Sequence, residues 1–187
     1  MNKIELPEAQ IKIAANVGMM RVLCSFGRTH RNGAVGCQWG WNIGGAIAEA
    51  AMAQWLGIPY DGSVNTFHSR PDVGEYEVRS TDRYNGNLII RDCDALDSTI
   101  YILAITSDLP TVYLAGWITG KEAAQKEYIK APDPSRPVCY FFPRWKLKPM
   151  EKLPLTKTQN ESHNTGTQIR TGELREQDCT GTDPAVY

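Results

Sequence analysis

An α/β fold on a mixed central β-sheet flanked by helices is what this sequence predicts. Two helical patterns open the chain, a succession of short β-rich runs separated by turn residues follows, and a further helix signal and a last strand close the ordered part. Helices on either side of a strand-rich middle need a sheet to pack against, so their apolar stripes and the strands must share a core. At 187 residues with 42% hydrophobic content, the chain is long enough for one complete core and short for two.

Each element has a local reason. Leu6-Pro7-Glu8 is a helix entry, because proline suits the first helical position and an acid there complements the dipole. Ile11, Ala14, Ala15, Val17 and Val22 then recur on one face and predict a helix over 7–23. Residues 25–40 read as a glycine-rich basic loop carrying Arg28, His30 and Arg31. Asn42 can cap a second helix over 43–56, which Gly57 ends. Val64 to His68 and Glu75 to Thr81 read as strands, and Asn85-Gly86 predicts a hairpin returning along 87–91. Thr99 to Thr106 and Thr111 to Ile118 are two more strands, with Ser107 to Pro110 between them. Thr119-Gly120-Lys121-Glu122 is a capping box opening a helix to Ile129, and Val138 to Phe142 is the closing strand.

Composition excludes several classes. A net charge of -1 is wrong for a surface that grips nucleic acid everywhere, so any groove for it must be a local basic patch. Five cysteines with no CxxC pair support neither a zinc site nor a disulfide framework, and no apolar signal segment precedes them, which fits reduced thiols in a cytoplasm. No apolar run reaches the roughly 18 residues that cross a bilayer, so a soluble protein with no membrane partner is expected. Residues 1–150 hold the folded domain. The segment 151–187 is a polar tail with too little bulky apolar surface to offset the entropy of ordering; it is read as flexible, with docking to a protein partner open to it.

The chemistry concentrates in Arg70-Pro71-Asp72-Val73-Gly74-Glu75-Tyr76-Glu77-Val78-Arg79. Alternation along the strand points Glu75, Glu77 and Arg79 to one face and Tyr76 and Val78 to the other. Glu75, at the strand start, reads as a solvated acid. Asp72 lies so close before Glu77 that the chain must bend between them, which Gly74 permits. Upstream, Glu49 is the lone charge on the small-residue helix face that carries Gly45, Met52, Ala53 and Leu56, where a carboxylate is costly unless something pairs with it. Carboxylate oxygens suit a hard divalent cation, and a fixed cation beside them suits an anionic phosphate under attack. His68 and Arg70 flank the motif and, with Arg28 and Arg31, are candidates for contact with nucleic-acid phosphate; a turn histidine and a surface salt bridge are the plainer uses of the flanking pair.

Glu49, Asp72 in Arg70-Pro71-Asp72, and Glu77-Val78-Arg79 on the following strand together resemble the PD-(D/E)XK nuclease superfamily. The blocks IAEAAMAQWLGIPYDG, RPDVGEYEVRST and AGWITGKEA resemble in particular small phage-encoded PD-(D/E)XK nuclease-like proteins. The resemblance implies a restriction-endonuclease-like core in α-β-β-β-α-β order, with the motif strand inside the sheet and the Glu49 helix packed across it. It implies Mg²⁺ or Mn²⁺ held by Asp72, Glu77 and Glu49, with Arg79 in the place of the motif lysine, all four around one cleft. It also implies hydrolysis of nucleic-acid phosphodiesters, with DNA the expected partner, in phage DNA replication, recombination or processing in the cytoplasm of an infected bacterium. A homo-oligomer is compatible with this reading. Arginine cannot accept a proton at neutral pH, although it can hold a phosphate oxygen or stabilise a transition state. That substitution keeps open a second reading, a catalytically inactive nucleic-acid-binding or protein-interaction module, such as a host-factor inhibitor, that retains the fold.

Overall fold

The computed structural model describes residues 1–25, 39–64, 70–92, 94, 96–130 and 138–155. In chain order its elements are β1 (Asn2–Glu5), α1 (Glu8–Ser25), α2 (Trp39–Leu56), β2 (Tyr76–Thr81), β3 (Leu88–Arg91), β4 (Ile100–Asp108), β5 (Thr111–Thr119), α3 (Gly120–Ala123), β6 (Ile129–Lys130) and β7 (Cys139–Phe142). The class is mixed α/β with a mixed sheet flanked by helices, as the sequence predicts.

The main sheet has the order β1-β5-β4-β2. β1, β5 and β4 pair antiparallel, whereas β2 joins β4 in parallel, with Glu77 opposite Tyr101 and Arg79 opposite Leu103. A second sheet, β3-β7-β6, is antiparallel throughout.

Helix α1 buries Ala14, Gly18 and Val22, the i, i+4, i+8 series of one stripe. Gly18 is where α2 comes closest: a Cβ there would lie 2.5 Å from the Ile43 Cα, so only glycine allows the two backbones to meet. Helix α2 is buried almost all round through Ala46, Ala48, Ala50, Ala51 and Ala53, small side chains that let it sit between α1 and the sheet. There it packs on Tyr76, Val78, Ile102 and Ala104, forming the first core. The opposite face of the sheet carries Tyr101, Leu103 and Ile118, which pack with Leu88, Ile90 and Phe142 of the second sheet into a second core. Met150 and Leu153 are buried in the first core, so the packed chain runs past residue 150, and the Tyr76 hydroxyl donates to the Pro154 carbonyl at 2.6 Å.

Several expectations change. Among the described residues β2 is an edge strand of its sheet, not an internal one. The Asn85-Gly86 turn forms no hairpin between β2 and β3, because β2 pairs with β4 and β3 with β7. The capping box at Thr119 and Glu122 forms, but α3 ends at Ala123 and gives way to a 3-10 turn over Lys126–Tyr128. β1 was not predicted. The expected strand at 65–68, most of the basic loop and the tail from 156 lie outside the described residues. Among the described residues no helix is long and apolar enough to cross a membrane.

Candidate acid and arginine site at the edge of the sheet

The site begins with a turn. Val73 and Tyr76 exchange backbone hydrogen bonds of 3.1 and 3.0 Å across Gly74 and Glu75, and Gly74 takes φ 60°, the bend its sequence position required. The turn folds Asp72 back along β2, where its Oδ2 accepts the Val78 N–H at 2.9 Å. A carboxylate thus satisfies a backbone donor of the edge strand.

Alternation sends Glu77 and Arg79 to the face opposite α2. The Arg79 guanidinium lies 5.3 Å from the centre of the Tyr101 ring, a residue of the second core. Its Nη1 is 3.2 Å from Glu77 Oε2 and 3.8 Å from Asp72 Oδ2. Its Nη2 donates to Asp94 Oδ2 at 3.1 Å, and the same oxygen accepts the Arg91 N–H at 2.9 Å. Three carboxylates therefore surround one permanent cation. Burial, then the Asp72 charge, pushes the Glu77 carboxyl up to about 7 against the pull of Arg79, and a hydrogen bond with Asp72 adds to the rise.

Glu49 is elsewhere. Its helix packs on the Tyr76 and Val78 face of β2, and both its oxygens are taken by Arg21, with Nη1 to Oε1 at 2.5 Å and Nη2 to Oε2 at 2.6 Å. Arg21 also donates to the Ser63 carbonyl from Nε at 3.0 Å and from Nη2 at 2.8 Å. The expected single cleft of four is thus a cluster of Asp72, Glu77 and Arg79 joined by Asp94, and a separate Arg21–Glu49 pair. Asp72 acts on both: burial chiefly raises the Glu49 carboxyl, and the Asp72 charge adds to it against Arg21.

The nearby Tyr60 hydroxyl is buried with no hydrogen-bond partner among the described residues, and burial and the Glu49 charge raise its pKa. Of the candidate phosphate contacts, Arg70 is exposed and paired with Asp61 at 2.7 Å, while Arg28, Arg31 and His68 lie outside the described residues.

The donor chemistry of Asp72 and Glu77 fits a hard cation: two oxygen ligands, side by side, with side chains 29% and 23% exposed, in the manner of Mg²⁺ sites that use one or two carboxylates and keep several waters. Among the described residues no group of three or more His, Cys, Asp or Glu is arranged to hold a metal ion.

Sequence reasoning missed Arg21 and Asp94. A lone acid on an apolar helix face is itself the signal for a buried cation, and Arg21 is one of two cations on α1. Asp94 gave no signal, because it sits in irregular chain just after β3. No family model, curated protein or solved structure matches this chain.

Proposed function

We propose that the chain is a divalent-cation-dependent nuclease of the PD-(D/E)XK kind, hydrolysing phosphodiester bonds of DNA at the Asp72, Glu77 and Arg79 cluster. The observation that carries this reading is the charge imbalance: three carboxylates around one guanidinium, with the Glu77 carboxyl pushed up to about 7 by burial and its neighbours. A divalent cation would relieve that imbalance, and Asp72 and Glu77 are the residues that would hold it. A cation bound there lowers the pKa of a coordinated water and neutralises charge on a phosphate oxygen. Arg79, held by Asp94 and the Tyr101 ring, keeps its charge at every working pH, so its role in this reading is to donate to a phosphate oxygen rather than to accept a proton. Folding as a nuclease-like unit and working in an infected bacterial cytoplasm belong to the same reading.

The test is incubation of the pure chain with single-stranded, double-stranded and branched DNA, with Mg²⁺ or Mn²⁺ and with chelator. Metal-dependent cleavage is expected, lost in Asp72→Asn and Glu77→Gln. Arg79→Ala should lose about 10²-fold or more in rate while Arg79→Lys retains substantial cleavage. Parent-like cleavage by both acid variants would show the site to be misassigned.

A second reading has its own observation. Arg21 occupies both oxygens of Glu49, the third acid that the resemblance assigns to the metal. That favours a catalytically inactive nucleic-acid-binding or protein-interaction module, and an absence of cleavage by the parent chain with either metal would select it.

A further inference from the structure

The second sheet turns Leu88, Ile90 and Phe142 inward, so its other face is left outward. Cross-strand register puts Ile89 beside Phe141, and puts Arg91 and Lys130 on either side of Cys139. Those five residues are the described members of that face. None is acidic, in a chain whose acids outnumber its lysines and arginines by 21 to 20. Ile89, Arg91 and Lys130 are exposed, and among the described residues neither cation has a carboxylate partner. Lys130 Nζ lies 5.8 Å from the centre of the Phe141 ring, so charge and aromatic surface are adjacent. Two neighbouring strand spacings separate Arg91 from Lys130, roughly 10 Å.

We infer that this face is a platform for a single-stranded nucleic-acid segment, with a base stacked at Phe141 and flanking phosphates held by Arg91 and Lys130. An aromatic side chain beside two cations that have no carboxylate partner among the described residues matches the two things such a strand offers, a π-face on each base and a charge on each phosphate; a duplex keeps its bases stacked on one another. The platform leads to the acid cluster, since the Arg91 N–H bonds Asp94, which in turn holds Arg79. The inference rests on the proposed action on nucleic acid and locates where the strand lies.

The test is fluorescence anisotropy of a labelled oligothymidylate with the full chain, in chelator, over a salt series. Phe141→Ala should weaken binding about tenfold or more with an unchanged salt slope, and Phe141→Tyr should bind like the parent. Arg91→Ala with Lys130→Ala should reduce the slope of log affinity against log salt by about 1.4, at about 0.7 per phosphate contact on a single strand. Parent-like binding by the alanine variants, no binding by the parent, or equal competition by polyglutamate, which would mark an acidic-peptide surface, each overturns the inference. Because chelator removes any cleavage, a chain that binds in this pattern and cuts nothing with metal would defeat the hydrolytic reading alone.

Discussion

Two charged groups lie on opposite sides of β2 and are built on different terms. On the helix side, Glu49 and Arg21 form a one-to-one pair, 5% and 14% exposed, in which two parallel hydrogen bonds match the carboxylate to the guanidinium. On the other side, Arg79 faces three carboxylates that remain partly open to water. The first group is electrically closed and its partners leave little to offer a ligand. The second carries surplus negative charge and holds one carboxyl near 7, so it gains from an incoming cation. The number of charges is what separates the two groups, because both are held by arginine and both contain glutamate.

The largest expected effect tests the closed group. Arg21→Ala leaves the Glu49 carboxylate buried without its cation and should cost about 3–5 kcal/mol in urea unfolding, the scale for breaking a buried pair from one side. Arg21→Met combined with Glu49→Leu removes both charges and should recover most of that loss. A cost below about 1 kcal/mol for Arg21→Ala would mean that the pair is solvated, and the contrast with Arg79 would fail.

The helices and the long strands were legible because their signals are local. Periodicity placed α1, and β-branched runs placed β4 and β5 within a residue or two; α2 ends at Leu56 as expected but begins at Trp39, so Asn42 lies within the helix and is not its cap. Where the prediction failed, a distant partner decided. β1 has one buried residue, Ile4, and exists because β5 offers it an antiparallel edge. The helix begun by Thr119 could continue on propensity, but the Tyr128 ring packs on Phe142 at 4.8 Å and Ile129–Lys130 pair with β7, which draws the chain out of helix. Asn85-Gly86 signals a turn and says nothing about which strands it joins. In the site, alternation correctly put Glu77 with Arg79, and glycine correctly marked the bend at Gly74. Which face α2 would cover, and hence the company of Glu49, was fixed by packing of α1 and the sheet.

A smaller effect sharpens the open group. The Glu77 carboxyl is raised to about 7 from an ordinary 4.5, so its protonation stabilises the fold; that contribution is complete below about pH 4.5 and is lost as pH rises through 7. Glu77→Gln, which cannot ionise, should therefore match the parent at acid pH and exceed it above pH 7, by on the order of 1–3 kcal/mol in chelator. Thermal melts at a series of pH values check this. A gap of the same size at pH 4 and pH 8 would show that Glu77 carries no surplus charge in the folded protein.

The smallest effect concerns Asp72, which belongs to the cluster by charge and to the edge strand by hydrogen bond. Asp72→Asn keeps an oxygen to accept the Val78 N–H and removes one charge from the repulsion with Glu77, so its stability should stay within about 1 kcal/mol of the parent. Asp72→Ala removes the acceptor as well and should cost more, about 1–3 kcal/mol if the part-buried donor goes unsatisfied. Urea unfolding of the two variants separates the roles. If both are equally destabilised, the charge of Asp72 holds the edge through Arg79; if only the alanine is, the backbone bond is its structural role and the charge is free to serve a bound cation.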